Sequence, residues 1–147
     1  MKRFQFQLEP VLNYKLQALD SLLIELNTLQ AQVMAQEKIR EEADVRLSEY
    51  EAEYAEKREQ GLTIVEAMEC QSCQEVLSRR ARQEKEKLLR LQRQAESKRR
   101  QVVEARKETH SLEKLRELRR SEYDSAVAKE EEKTLDDLTA TKRAQAG

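Results

Sequence analysis

The residues of this chain best suited to chemistry are two cysteines, Cys70 and Cys73, in the stretch AMECQSCQEV. Their C-x-x-C spacing belongs to zinc sites and to redox motifs. A structural zinc site takes four nitrogen or sulfur ligands, and this pair supplies two. The one histidine, His110, stands forty residues beyond Cys70, at least ~50 Å away along a helix rising ~1.5 Å per residue. On a helix, positions i and i+3 share a face, where cysteine behaves as a small and rather apolar residue. The pair therefore reads as packing or partner contact, with metal or thiol chemistry as the competing reading. His110 reads as a solvated helix residue. With two glycines in all, the chain has no phosphate-cradling loop, nucleophile elbow or G-x-G-x-x-G run. No residue is assigned a catalytic, cofactor-binding or metal-binding role, and the chain is not expected to be an enzyme.

What must position these residues is almost all helix. The chain has 147 residues, 39% charged and 4% aromatic, with one proline and no tryptophan. A globular domain draws its turns from about 7% glycine and 5% proline; this chain has little to turn with. Pro10 suits the first turn of a helix, where a missing N–H costs nothing. Gly61 suits the position just past a helix end, where the backbone turns left-handed. Between them Leu12, Leu19, Leu26, Val33, Arg40, Leu47 and Tyr54 recur every seven residues, flanked by Leu16, Leu22, Leu23, Leu29 and Tyr50. That apolar stripe predicts one helix over about 10–59, about 75 Å long at ~1.5 Å per residue. Thr63 with Glu66 forms a capping box that restarts a helix after a turn at 60–63. From there Leu77, Ala81, Glu84, Leu88, Leu91, Ala95, Lys98, Val102, Ala105, Thr109 and Leu112 alternate by fours and threes, the signature of a coiled coil. The second helix is expected over about 64–142, with a slip of phase beyond Leu112.

Two amphipathic helices joined by a short turn fold back on each other. The expected fold is all-α: two long helices in an antiparallel coiled-coil hairpin, the second longer, in one coiled-coil domain over 1–147. If the reversal lies near residue 62, facing positions sum to 124. Leu12 then meets Leu112, Leu19 meets Ala105, Val33 meets Leu91 and Leu47 meets Leu77, while Arg40 meets Glu84 as a polar pair in the seam. Charge favours the same pairing: residues 1–77 carry 8 basic and 15 acidic side chains, and residues 78–120 carry 16 basic and 7 acidic. The register also leaves an overhang. Beyond about residue 115 the second helix has nothing within the chain to pack on, so Leu118, Tyr123, Val127, Leu135 and Leu138 are expected to await a partner. The isolated chain is expected to be elongated.

Several function classes fall away. The longest aliphatic run is Leu22-Leu23-Ile24, against the ~20 residues of a spanning helix, so direct membrane insertion is not expected. Met1-Lys2-Arg3 followed by FQFQLEP is not a signal-peptide core, and the chain is expected to be cytosolic and reduced. The basic stretch 78–120 offers no aromatic for stacking and is interleaved with acids. It reads as a solvated face neutralised by the other arm, and no nucleic-acid partner is expected.

Three local patterns carry a resemblance. The opening FQFQLEPVLNYK (Phe4, Phe6, Leu8, Val11, Leu12) resembles that of the FliJ family of bacterial flagellar export proteins. GLTIVEAMECQSCQEVL is similar to the family's central turn and following helix, and LEKLREL through EEEKTLDDLTATK to its last arm. The resemblance implies an antiparallel coiled coil like the central stalk of rotary ATPases. It implies a non-enzymatic coupling component of type III export, partnered by the flagellar export ATPase hexamer, the cytosolic domain of the export gate FlhA and export chaperones. The implied location is cytoplasmic, peripheral to the inner membrane at the flagellar base. Under the resemblance, Leu47, Tyr50, Tyr54, Cys73 and Leu77 are candidates for gate binding, with Cys70 and Cys73 standing where relatives carry aromatics. Leu118, Tyr123, Val127, Leu135 and Leu138 are candidates for binding the ATPase ring. Three alternatives stay open: an injectisome ATPase stalk; a scaffold whose cysteines respond to metal or redox state, which a thiol titration with zinc would reveal; and, less favoured, a basic coiled-coil nucleic-acid binder, which steep salt-dependent DNA binding would reveal.

Overall fold

The computed structural model describes residues 2–146. It holds two helices, α1 (Glu9–Gln60, 52 residues) and α2 (Ile64–Ala146, 83 residues), which pack against each other as a hairpin. No strand occurs among the described residues. The reversal is built as its residues dictate. Gly61 takes φ 97°, a conformation open to glycine and strained for other residues. Its N–H reaches the Arg58 carbonyl at 3.3 Å. Thr63 Oγ1 accepts the Glu66 N–H at 3.2 Å and the Thr63 carbonyl accepts the Ala67 N–H at 2.9 Å, so Thr63 is the N-cap of α2.

The chain forms two compact units. One unit comprises residues 21–102, from Ser21 to Val102. Its buried positions are Leu26 and Gln36 on α1 and Ala81, Leu88 and Val102 on α2, with Val33, Ala43, Leu47, Leu91 and Ala95 half-buried around them. The register runs antiparallel, with Lys98 Nζ 2.6 Å from Glu25 Oε2. The polar pair in the seam differs from the sequence expectation. Glu84 is met by Gln36, one turn before Arg40: Gln36 Nε2 donates to both the Glu84 carbonyl, at 3.1 Å, and its carboxylate. Arg40 instead turns along its own helix, its Nε 3.4 Å from Asp44 without hydrogen-bond alignment. The reason is reach and solvation. The Arg40 side chain reaches only partly into solvent and leaves its Nε buried without a partner, whereas the shorter neutral amide of Gln36 stays inside and satisfies the carboxylate.

Gln36→Ala is accordingly expected to destabilise this unit by about 1–3 kcal/mol, the cost of leaving a half-buried carboxylate short of a donor. Urea unfolding measures it, and Gln36→Ala combined with Glu84→Ala should recover part of the loss.

The other unit comprises residues 1–20 and 103–147. Leu12, with no exposed surface, and Thr109 are its buried positions. Lys15 pairs with Glu108 at 2.6 Å and Arg116 with Glu9 at 3.3 Å, each exposed pair contributing only ~0–1 kcal/mol. Here a second expectation is corrected. Residues 2–6 are not helical; they lie as a strap on α2 beyond the point where α1 begins. The Phe4 ring tilts onto Tyr123 with centroids 5.6 Å apart, and Tyr123 Oη donates to the Lys2 carbonyl. The Arg120 guanidinium lies over Phe4 at 5.2 Å. Tyr123 is thus half-buried, Val127 is half-buried as well, and the uncovered part of α2 starts near residue 128 rather than 115. Leu118, Leu135 and Leu138 stay exposed, at 56%, 64% and 56%. The strap escaped the sequence reading because a Phe-x-Phe-x-Leu run has no helical period.

Candidate partner-binding surfaces

The unit of residues 21–102 opens a groove beside the reversal, about 560 Å³ in volume. Tyr50, Arg46, Glu49 and Glu53 line it from α1, and Ser72, Cys73, Val76 and Leu77 from α2. Tyr50 and Leu77 are half-buried seam residues, while Cys73 and Val76 are exposed and form its apolar lip. Of the sequence candidates the groove gathers Tyr50, Cys73 and Leu77. Leu47 and Tyr54 are half-buried but do not line it, and the Arg58 guanidinium lies over the Tyr54 ring at 4.4 Å. Val76 was missed. Its place on the lip follows from lying three residues after Cys73, on the same face of α2.

Cys70 occupies a half-buried seam position, with Cys73 exposed beside it. Tyr50 Oη donates to the Cys70 carbonyl at 3.2 Å. Desolvation between the helices, and then hydrogen bonding and charge from the Cys70 and Cys73 thiols, push the Tyr50 phenol above its ordinary pKa. The phenol is therefore neutral and donating throughout the physiological range. Among the described residues no group of three or more His, Cys, Asp or Glu is placed to hold a metal ion, and His110 is exposed.

The shift has a sign. A phenol whose folded pKa exceeds its unfolded value near 10 adds stability that is fully present below about pH 10 and lost as pH rises beyond it. An ultraviolet titration of the four tyrosines should show one late phenolate step, absent in Tyr50→Phe. A late step that survives the substitution would assign it elsewhere.

The second surface belongs to the unit of residues 1–20 and 103–147. From residue 128 to 146 every residue of α2 is exposed. Thr134, Thr139 and Thr141 hydroxyls donate only to carbonyls four residues back on their own helix, each at 2.9 Å. A single helix of this length is marginal in water without tertiary cover. Leu118, Leu135 and Leu138 are its free apolar contacts, whereas Tyr123 is already engaged by the strap and Val127 is half-buried.

Neither surface combines a nucleophile with a base, or donors converging on a reacting atom. Among the described residues no helix is long and apolar enough to cross a membrane. No individual curated protein and no solved structure matches the chain. A family model described as "Flagellar FliJ protein" matches residues 4–147, from the first phenylalanine of the strap through the uncovered end of α2. The chain therefore belongs to the flagellar FliJ family, a family of flagellar export apparatus components.

Proposed function

We propose that this protein is the central stalk and coupling component of flagellar export. The uncovered part of α2 enters the ring of the export ATPase, and the groove at Tyr50, Cys73 and Leu77 binds the cytosolic domain of the export gate FlhA. Export chaperones are further partners, and the protein works in the cytoplasm, peripheral to the inner membrane at the flagellar base. The observation that carries this reading is the α2 segment beyond Val127, a bare helix with Leu135 and Leu138 free. A ring lumen takes a slim helix more easily than a helix pair, and the ring's inner wall would supply the cover that the chain itself does not.

The groove supports the second contact by its chemistry. Residues 47–77 carry eight acidic and two basic side chains, so an apolar lip sits within an acidic field. An apolar centre with a charged rim is the anatomy of a protein contact. The test is a pull-down of the purified chain with the export ATPase and, separately, with the gate domain. Capture of neither by a folded chain would overturn the proposal.

A further inference from the structure

Basic residues of α2 were expected to be neutralised by α1, and in the unit of residues 21–102 one face of α2 departs from that. At 3.6 residues per turn, Arg79, Arg82, Arg90, Arg93 and Arg100 fall within about 80° of arc, roughly opposite the seam at Ala81, Leu88 and Val102. All five are exposed. Arg100 lies 3.7 Å from Glu96. Among the described residues, no carboxylate comes within 4.0 Å of Arg79, Arg82, Arg90 or Arg93, although neighbouring Arg80 and Arg99 are paired along the helix. Within that arc Glu86 is the one acidic residue. The stripe spans about 32 Å at ~1.5 Å per residue.

We propose that this arginine stripe is a docking face for an anionic lipid surface. The occupant follows from what the stripe has and lacks. Arginine forks match phosphate oxygens bidentately, and clustered cations on a helix are drawn to anionic headgroups. A straight row of charges meets a plane along its whole length, with no register to satisfy. Between Arg79 and Arg100, Leu89, 42% exposed on the flank, is the one exposed large apolar residue, with Val76 and Val103 one turn beyond either end. A folded protein partner would therefore find little to bury and would gain only rim contacts. A nucleic-acid duplex fits less well: the stripe lies on a helix already paired with α1, and the pair is wider than the ~12 Å major groove. No aromatic is present to stack on a single strand.

The proposal rests on the peripheral membrane location given above, and it names the residues that touch lipid. The test is sedimentation of the full chain with vesicles of phosphatidylcholine, with or without phosphatidylglycerol as a third of the lipid. The wild type should sediment with the anionic vesicles at low salt, and not with the neutral ones or at high salt. Each arginine near the surface is worth about fivefold in partitioning. Replacing Arg79, Arg82, Arg90 and Arg93 together by glutamine should therefore weaken binding by up to about six-hundredfold, and by at least about twentyfold if only two of the four reach the surface, with helicity unchanged. A control that removes the same charge elsewhere, at Lys38, Arg99, Arg106 and Lys114, should bind nearly as the wild type does. Absence of vesicle binding, or equal loss in stripe and control variants, would overturn the proposal. So would stripe-dependent binding of duplex DNA without binding of vesicles. The stripe variant should still be captured by the export ATPase and the gate domain, so loss of lipid binding alone leaves the stalk reading standing. Failure of those captures by the wild type would strike that reading instead.

Discussion

A chain stopped after Ala128 is expected to fold as the full chain does and to lose at least nine-tenths of its stimulation of the export ATPase. The two halves of that result have separate causes. Residues 129–146 are wholly exposed, and their side-chain hydrogen bonds stay within their own helix. Removing them deletes no core contact, so the melting temperature should move by no more than a degree or two. The loss of stimulation comes from removing Leu135 and Leu138 with the charges around them, the part of α2 most in need of external cover. The cut is placed beyond Val127 deliberately. A stop after Arg120 would take Tyr123 away and free the strap at Phe4 and Lys2, so a loss of activity could then reflect a disturbed fold. Circular dichroism and an ATPase assay on the Ala128 stop decide the matter. Full stimulation by the shortened chain would remove the ring contact from this segment.

The helices and their pairing were legible because they depend on periodic signals. The eleven seam positions expected on α2, from Leu77 to Leu112, are all buried or half-buried in the structure. Gly61 and Thr63 mark the reversal through local backbone chemistry, which needs no tertiary information. What the sequence hid was of another kind. The choice of Gln36 over Arg40 as partner of Glu84 depends on side-chain reach and water access, which a seven-residue repeat cannot rank. The strap depends on an aromatic contact between residues 119 positions apart, Phe4 and Tyr123. The free face of arginines was visible as composition, but its lack of partners appeared only once α1 had a fixed place in the unit. As for the candidate contacts, periodicity located Tyr50 and Leu77 through the seam, while Val76 on the groove lip carries no seam signal.

Gate binding should fall when the groove is charged, while ATPase stimulation persists. The seam residue Tyr50 is a poor place to test this, because its ring is half-buried and its hydroxyl holds the Cys70 carbonyl. A charge there would damage the hairpin and the contact together. Cys73 and Val76 are better: both line the groove and both are exposed, Val76 at 61%. Placing aspartate at the two positions leaves the seam untouched, so the helical signal should be unchanged. In a docked complex those carboxylates would have to shed water against an apolar surface, and unpaired buried charges cost several kcal/mol. Affinity for the gate domain should fall at least about a hundredfold, equivalent to ~2.7 kcal/mol, while stimulation of the ATPase persists. Lysine at the same two positions should also weaken binding, because desolvation penalises either sign. If lysine instead strengthened binding, the acidic field around the groove would be the adverse feature, and the contact would be electrostatic rather than apolar. If both pairs bound the gate as the wild type does, the groove would not be the gate contact.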